Sequence, residues 1–179
     1  PNGLEHDQRD VDTVVNHYAP ECTSRPSRCK HNAVNGKNYY QAEEYCEWVG
    51  GRLCTEAEWE RAANGPGPEQ YHWPWGDDDP TSTLVNLPST GTGYVEEVDD
   101  YAAGMSPEGV YNLAGNVYEW VADAYSTYES TDAGEVLDNP SYPLTSDTDT
   151  AIGRGSCFFT EPEHAVTERS TFSPYFDWG

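Results

Sequence analysis

Lysine is nearly missing from this 179-residue chain: only Lys30 and Lys37 occur, and lysine and arginine together supply nine cations against 32 acidic side chains. The formal net charge of -23 would repel phosphates at every approach. It excludes nucleic acid and anionic membrane as partners and favours cation binding or solubility by self-repulsion. No run of 18 apolar residues exists, so no membrane insertion is expected. The chain opens at Pro1 without a basic-then-apolar leader, so any signal peptide is expected to have been removed. Phenylalanine is scarce, four against 13 tyrosines and six tryptophans, alongside 16 glycines and 13 prolines. That composition excludes a helical bundle and describes a loop-rich domain with amphipathic aromatics. The length fits one domain spanning residues 1–179.

No CxxC occurs, and His6, His17, His31, His72 and His164 are scattered, which leaves zinc-thiolate binding the weaker account of the five cysteines. Cys22 and Cys29 bracket the Ser/Arg/Pro loop ECTSRPSRC. Cys46 falls near the end of a helix and Cys54 just after the turn that follows it. Both pairs are close enough to close small loops, so disulfides Cys22 with Cys29 and Cys46 with Cys54 are expected. Two such bridges imply an oxidising compartment, extracellular or periplasmic. Cys157 is then left over, either as a reactive thiol or as a small buried hydrophobe.

Two helices follow one another. NYYQAEEYCEWVGG starts at an Asn38 cap with Gln41 three residues on, carries Tyr39, Ala42, Tyr45, Cys46 and Val49 at helical spacing, and stops at Gly50-Gly51. TEAEWERAANG has a capping box in Thr55 and Glu58, a face of Trp59, Ala62 and Ala63, and an end at Asn64-Gly65. From Pro66 onward, strands and long loops are expected. The clearest strand lies in VYNLAGNVYEWVAD, where Val117, Glu119 and Val121 alternate with Tyr118 and Trp120. The Ser/Thr/Asp/Pro-rich stretch 124–150 reads as a surface loop.

Glu119, on the strand face of Val117 and Val121, is expected to point inward, and a buried carboxylate is costly unless a cation or good hydrogen bonds compensate it. Asn112, Gly115 and Glu119 together offer an amide, a carbonyl and a carboxylate, hard oxygens of the kind calcium takes. A hydrogen-bonded carboxylate in a tight turn is the alternative. The acidic runs 77–79 and 96–100 read as solvated loop charge.

Three segments in order, WVGGRLCTEAEWERAA (48–63), WPWGDDD (73–79) and VYNLAGNVYEWVAD (110–123), resemble the signature blocks of the formylglycine-generating, or sulfatase-modifying factor, enzyme family. The resemblance covers roughly residues 30–179. The family's opening strand is not found, so the start of the family domain is expected to be missing. The resemblance implies an α+β, C-type-lectin-like fold with little regular secondary structure, two helices in the N-terminal half, short antiparallel strands and long loops. It also implies calcium on the Asn112 side chain, the Gly115 and Val117 carbonyls and Glu119. A second site would use Asn86 and Leu87 with Thr92 and Tyr94, where a threonine hydroxyl stands in for the family's carboxylate.

Family enzymes hold copper(I) on two thiolates and use oxygen to convert a sulfatase cysteine to formylglycine, a chemistry that needs both soft sulfurs. The strand that precedes those thiols resembles GRGSCFF (153–159), which places them at Phe159 and His164, neither a cysteine. Arg169 and Pro174 match a family Arg and Pro. Ergothioneine-type relatives need a His-rich iron site, and these histidines do not cluster. The expectation is therefore a non-catalytic, calcium-stabilised binding or display domain, akin to the variable proteins of diversity-generating retroelements. Its ligand, a protein or small molecule, would meet Phe158, Phe159, His164, Glu168, Phe172, Tyr175, Phe176 and Trp178. Strand alternation should bury one of Phe158 and Phe159, not both. A copper-dependent oxidase and a structural domain of a larger secreted protein are the alternatives.

Overall fold

Reciprocal caps start both α-helices found among the described residues. In α1 (Tyr39–Trp48) the Asn38 side chain accepts from the Gln41 N–H at 3.0 Å while the Gln41 side chain accepts from the Asn38 N–H at 3.1 Å. Thr55 and Glu58 repeat the arrangement for α2 (Glu56–Asn64), which Gly65 ends at φ 80°. These elements belong to a computed structural model that describes residues 31–127, 140–146 and 148–177. The expected Cys22 with Cys29 bridge, His6, His17 and Trp178 lie outside the described residues.

Only part of the α1 stripe is core. Tyr39, Ala42 and Cys46 pack with Leu53, Trp120 and Ala151, whereas Tyr45 and Val49 fall on the neighbouring stripe and face solvent. The expected Cys46 with Cys54 disulfide is not formed; both are free thiols. The Gly50-Gly51 turn delivers them to different places, Cys46 against the Tyr39 cluster and Cys54 against the cluster around Trp59, Leu113, Val121, Ile152 and Val166.

Among the described residues, three short strands form one antiparallel sheet in the order β1 (Glu119–Ala124), β2 (Ala151–Arg154), β3 (Ser170–Phe172). β1 begins two residues after Val117, because Gly115 and Asn116 still turn the backbone at φ 70° and 62°. Gly153 pairs with Trp120, and a Cβ on it would lie 2.7 Å from the Phe172 ring. The missing side chain lets Phe172 pack edge-on against Tyr118 and Trp120, at 5.2 and 5.6 Å between centroids. A third cluster, Trp73, Val85, Leu87, Ala114 and Ala165, closes the loop-built part of the core.

One charged cluster ties these pieces together. Arg154, wholly buried, donates to Glu56 at 2.6 Å, Glu60 at 2.9 Å and the Val166 carbonyl at 2.5 Å, with its guanidinium 4.8 Å over the Trp59 ring. Arg169 grips the same Glu56 with two nitrogens, at 2.7 and 2.8 Å, and donates to the Ser126 carbonyl. Removing one partner from a buried ion pair strands the other charge. Glu56→Ala is therefore expected to cost about 3–5 kcal/mol in urea unfolding. Glu58→Ala, which removes an exposed cap and its Arg52 pair, should cost about 1 kcal/mol. Equal losses would deny the cluster its structural role.

Candidate functional site

The loop 112–116 is held in shape by its own asparagines. Asn112 and Asn116 sit at φ 55° and 62°, a region asparagine tolerates better than most residues. Gly115 has no substitute, because a Cβ there would stand 2.4 Å from the Asn86 carbonyl oxygen. Asn116, fully buried, accepts from the Glu96 N–H at 2.9 Å and donates to the Glu96 carbonyl at 3.3 Å. Asn86 donates to the Tyr94 carbonyl at 2.8 Å and to Asn116 Oδ1 at 3.3 Å, and Asn112 donates to the Val98 carbonyl at 2.9 Å.

Two oxygens are left over: Asn86 Oδ1 and Asn112 Oδ1 are buried without a hydrogen-bond partner. A buried acceptor left unmade costs roughly 1–3 kcal/mol, so both are open to a donor or a cation. Glu119 is half-buried on β1, and its Oε2 accepts from Trp59 Nε1 at 2.5 Å. Burial pushes its carboxyl up to about 7, a rise the Trp59 hydrogen bond only partly offsets. Among the described residues, no three His, Cys, Asp or Glu side chains are placed to share a metal ion. A cation here would instead draw on amide and carbonyl oxygens beside the single carboxylate of Glu119. The second oxygen set is more committed. The Leu87 carbonyl accepts from Gly91 at 2.7 Å and Thr90 at 3.1 Å, Tyr94 accepts from Asn86, and the Thr92 hydroxyl is taken by Glu96.

Next to this loop opens a cleft of about 730 Å³, bounded by α1, the loop 34–37, residues 116–120 and the segment 157–159. Phe158 is buried and Phe159 exposed, meeting edge-on at 5.0 Å. Phe158, Phe159 and Phe172 line the cleft, and Phe176 stacks on Phe172 at 5.6 Å. Tyr175 packs against Tyr40 at 5.1 Å. His164 and Glu168 are not among the lining residues: His164 stacks on His72 at 4.0 Å, and the Glu168 N–H caps the His164 carbonyl at 3.0 Å.

Sequence reasoning missed the opposite wall, which carries Asn35, Lys37, Tyr45, Trp48 and Leu53. The available signal was the surplus of aromatics on α1 beyond a one-stripe core. It also missed Asp123, buried on the same β1 face as Val121, which accepts from the backbone N–H groups of Glu56 and Tyr142. Cys46 and Cys157 line the cleft too. Burial pushes the Cys157 thiol up and the Cys54 thiol up to about 11, so neither is readily a thiolate.

The Glu119 shift has a signed consequence. Between its ordinary 4.5 and about 7 the folded chain holds a proton that the unfolded chain has released. Without metal, stability should therefore fall as pH rises through that window. Urea titrations in chelator should show the decline, and Glu119→Gln should flatten it.

A family model, the sulfatase-modifying factor enzyme 1-like domain, matches residues 5–176. The serine/threonine-protein kinase pkn1 of Chlamydia caviae is 40% identical over 114 residues, 64% of this chain and 17% of the kinase. The formylglycine-generating enzyme of Thermomonospora curvata is 34% identical over 134 residues, 69% of this chain and 43% of the enzyme. The chain thus spans less than half the length of either relative. Among solved structures, Treponema denticola variable protein 1 superposes with a TM-score of 0.65 at 21% identity, covering 82% of this chain and 68% of that one, which shows a shared fold. With its two capped helices, small antiparallel sheet and asparagine-built loop, the chain belongs to the sulfatase-modifying factor, or formylglycine-generating enzyme-like, domain family.

Proposed function

We propose that this domain is a non-catalytic, calcium-stabilised ligand-binding module whose ligand occupies the aromatic cleft. The observation that carries this reading is the fate of the two positions that resemble the family's thiolate pair. Phe159 stands exposed on the cleft and His164 is stacked on His72 away from its lining, so neither position offers sulfur to a soft metal.

Calcium suits the oxygens of the 112–119 segment. The Asn112 side chain, the Gly115 and Val117 carbonyls and Glu119 would hold it, relieving the orphaned Asn112 Oδ1 and keeping Glu119 ionised. Asn86 and Leu87, with the Tyr94 carbonyl, would form a weaker second site. The ion would supply positive charge that pins the 112–116 turn to β1 and so sets the cleft's inner wall. Among the described residues no helix is long and apolar enough to cross a membrane. The extracellular or periplasmic assignment now rests on Cys22 and Cys29.

Two measurements test the reading. A cysteine-containing sulfatase peptide supplied with copper(I) and oxygen should remain unconverted by mass spectrometry. Turnover would instead point to Cys46 and Cys157, the two thiols that share the cleft. Chelation should lower the melting temperature by roughly 5–10 °C if calcium is present at about 100 times its dissociation constant. Glu119→Gln should abolish most of that difference. A melting curve indifferent to chelator, with metal content shown to be zero, would reject the calcium site.

A further inference from the structure

We propose that calcium regulates the cleft. Ion binding at the 112–119 segment and ligand binding beside Phe159 are linked through two facing turns, 112–116 and 155–160, so that each strengthens the other. This rests on the calcium-stabilised, ligand-binding reading and names how that site is controlled.

The two turns form one unit. The Gly115 N–H donates to the Gly155 carbonyl at 2.7 Å, and the Phe158 N–H donates to the Asn116 carbonyl at 3.0 Å. Among the described residues, four non-glycine residues adopt positive φ, and three of them lie here: Asn112 at 55°, Asn116 at 62° and Ser156 at 66°. Gly115 and Gly155, at 70° and 84°, complete the pattern. Such backbone persists only where its surroundings over-determine it, so the shape of each turn depends on the other. The second turn is also closed by its own side chains. Ser156 Oγ donates to the Thr160 carbonyl at 2.9 Å, and the Cys157 thiol donates to Thr160 Oγ1 at 3.3 Å.

The two ends of this unit serve different groups. One end carries the oxygens that suit calcium, among them Asn112 Oδ1, buried without a hydrogen-bond partner. At the other end Asn116, Val117 and Glu119 join Cys157, Phe158 and Phe159 in the lining of the cleft. Val117 and Glu119 thus belong to both. An ion drawing on Asn112, Gly115, Val117 and Glu119 would hold the first turn in the shape whose Asn116 carbonyl positions Phe158, and Phe159 with it. Without the ion, the unmade hydrogen bond of Asn112 Oδ1 weakens the hold on that shape. A ligand touching Phe159 binds best where the wall is held, and by linkage it must tighten the ion by the same factor.

Titrations of the full chain with calcium and with Nile red, a neutral apolar dye, test the linkage. Saturating calcium should lower the dye's dissociation constant at least about fivefold, and saturating dye should lower that of calcium, read by calorimetry, by the same factor. Phe159→Ala should weaken the dye and remove its effect on calcium. In Glu119→Gln the dye should bind equally with and without calcium. Ser156→Gly keeps the left-handed backbone while deleting the Thr160 tie, and should cut the coupling to below about twofold with dye-free calcium affinity unchanged. Melting temperatures serve as the folding control. Terbium reports occupancy independently, because Trp59 Nε1 donates to Glu119 at 2.5 Å and its indole would sensitise emission there. Equal dye affinity with and without calcium, while terbium emission shows a filled site, overturns the linkage and leaves the calcium and ligand readings standing. Coupling undiminished in Phe159→Ala or Ser156→Gly also overturns it. If neither terbium nor calcium binds, the calcium reading falls and takes the linkage with it. If the dye binds in neither state, the ligand-binding reading and the linkage fall together.

Discussion

The rest of this structure depends on one carboxylate gripped by two guanidinium groups. Glu56 is the first residue of α2, and its side chain receives Arg154 from β2 and Arg169 from just before β3. Its backbone N–H is taken by Asp123 from β1. All three strands are thereby fastened to one helix start. Two of the chain's nine lysine and arginine cations are spent at this single point. Burying ions is costly, and an isolated pair there would be poor value. Here the cost is met by saturation: Arg154 also reaches Glu60 and the Val166 carbonyl, lies over Trp59, and leaves only Nε without a partner. The acidic residues Glu56, Glu58 and Asp123 gather at the positive end of α2, which further supports them.

Away from that hub, side-chain amides do what secondary structure does elsewhere. Much of the described chain is neither helix nor strand, yet backbone groups in a dry interior must be paired. Asn116 bridges to Glu96, Asn86 to Tyr94, Asn112 to Val98, and Asn64 joins the Tyr71 N–H to the Glu69 carbonyl. An asparagine can substitute for a missing strand because it carries donor and acceptor together and accepts left-handed backbone. The same property explains why two of these residues end with an orphaned oxygen. Once the NH₂ is committed to a carbonyl, the other end is fixed in direction and must find whatever lies there.

What could be read from the sequence followed from locality. Asn38 with Gln41 and Thr55 with Glu58 are contacts three residues apart, and both capping boxes are present in the structure. The inward aim of β1 was legible from alternation, and the same rule extended two residues past Val121 would have found Asp123. One of Phe158 and Phe159 is buried as expected, but not through strand alternation: β2 ends at Arg154 and the two sit in a turn closed by the bridge between Cys157 and Thr160. The Glu56 cluster was not legible, because its contacts span 98 and 113 residues and nothing local marks Glu56 apart from other acids. The Cys46 with Cys54 pairing failed for the complementary reason. Short separation in sequence says nothing about whether a Gly-Gly turn aims two side chains together or into different cores. The α1 wall was missed because Tyr45 was counted as core from its spacing, although a ten-residue helix packed through Tyr39 leaves that stripe in solvent.

The division of labour that results separates scaffold from surface. The hub at Glu56 is built from residues that do not line the cleft, whereas Asn116 and Glu119 carry the asparagine ties and the Trp59 bond up to the cleft's edge. Phe159, Tyr45 and Trp48 line the cleft as exposed side chains, while Phe172 both lines it and packs on Tyr118 and Trp120. An exposed side chain such as Phe159 can therefore be replaced without loosening the fold. The converse does not hold. Gly115, Gly153 and Arg154 each occupy positions where a Cβ would meet backbone or ring, or where a charge is fully enclosed, so substitutions there reach both sides at once. Two of the segments that carry the family resemblance, 48–63 and 110–123, supply Glu56, Trp59, Gly115, Glu119 and Asp123 to this framework. The segment 157–172 joins them, because Val166 and Arg169 complete the joint while Phe158, Phe159 and Phe172 border the cleft.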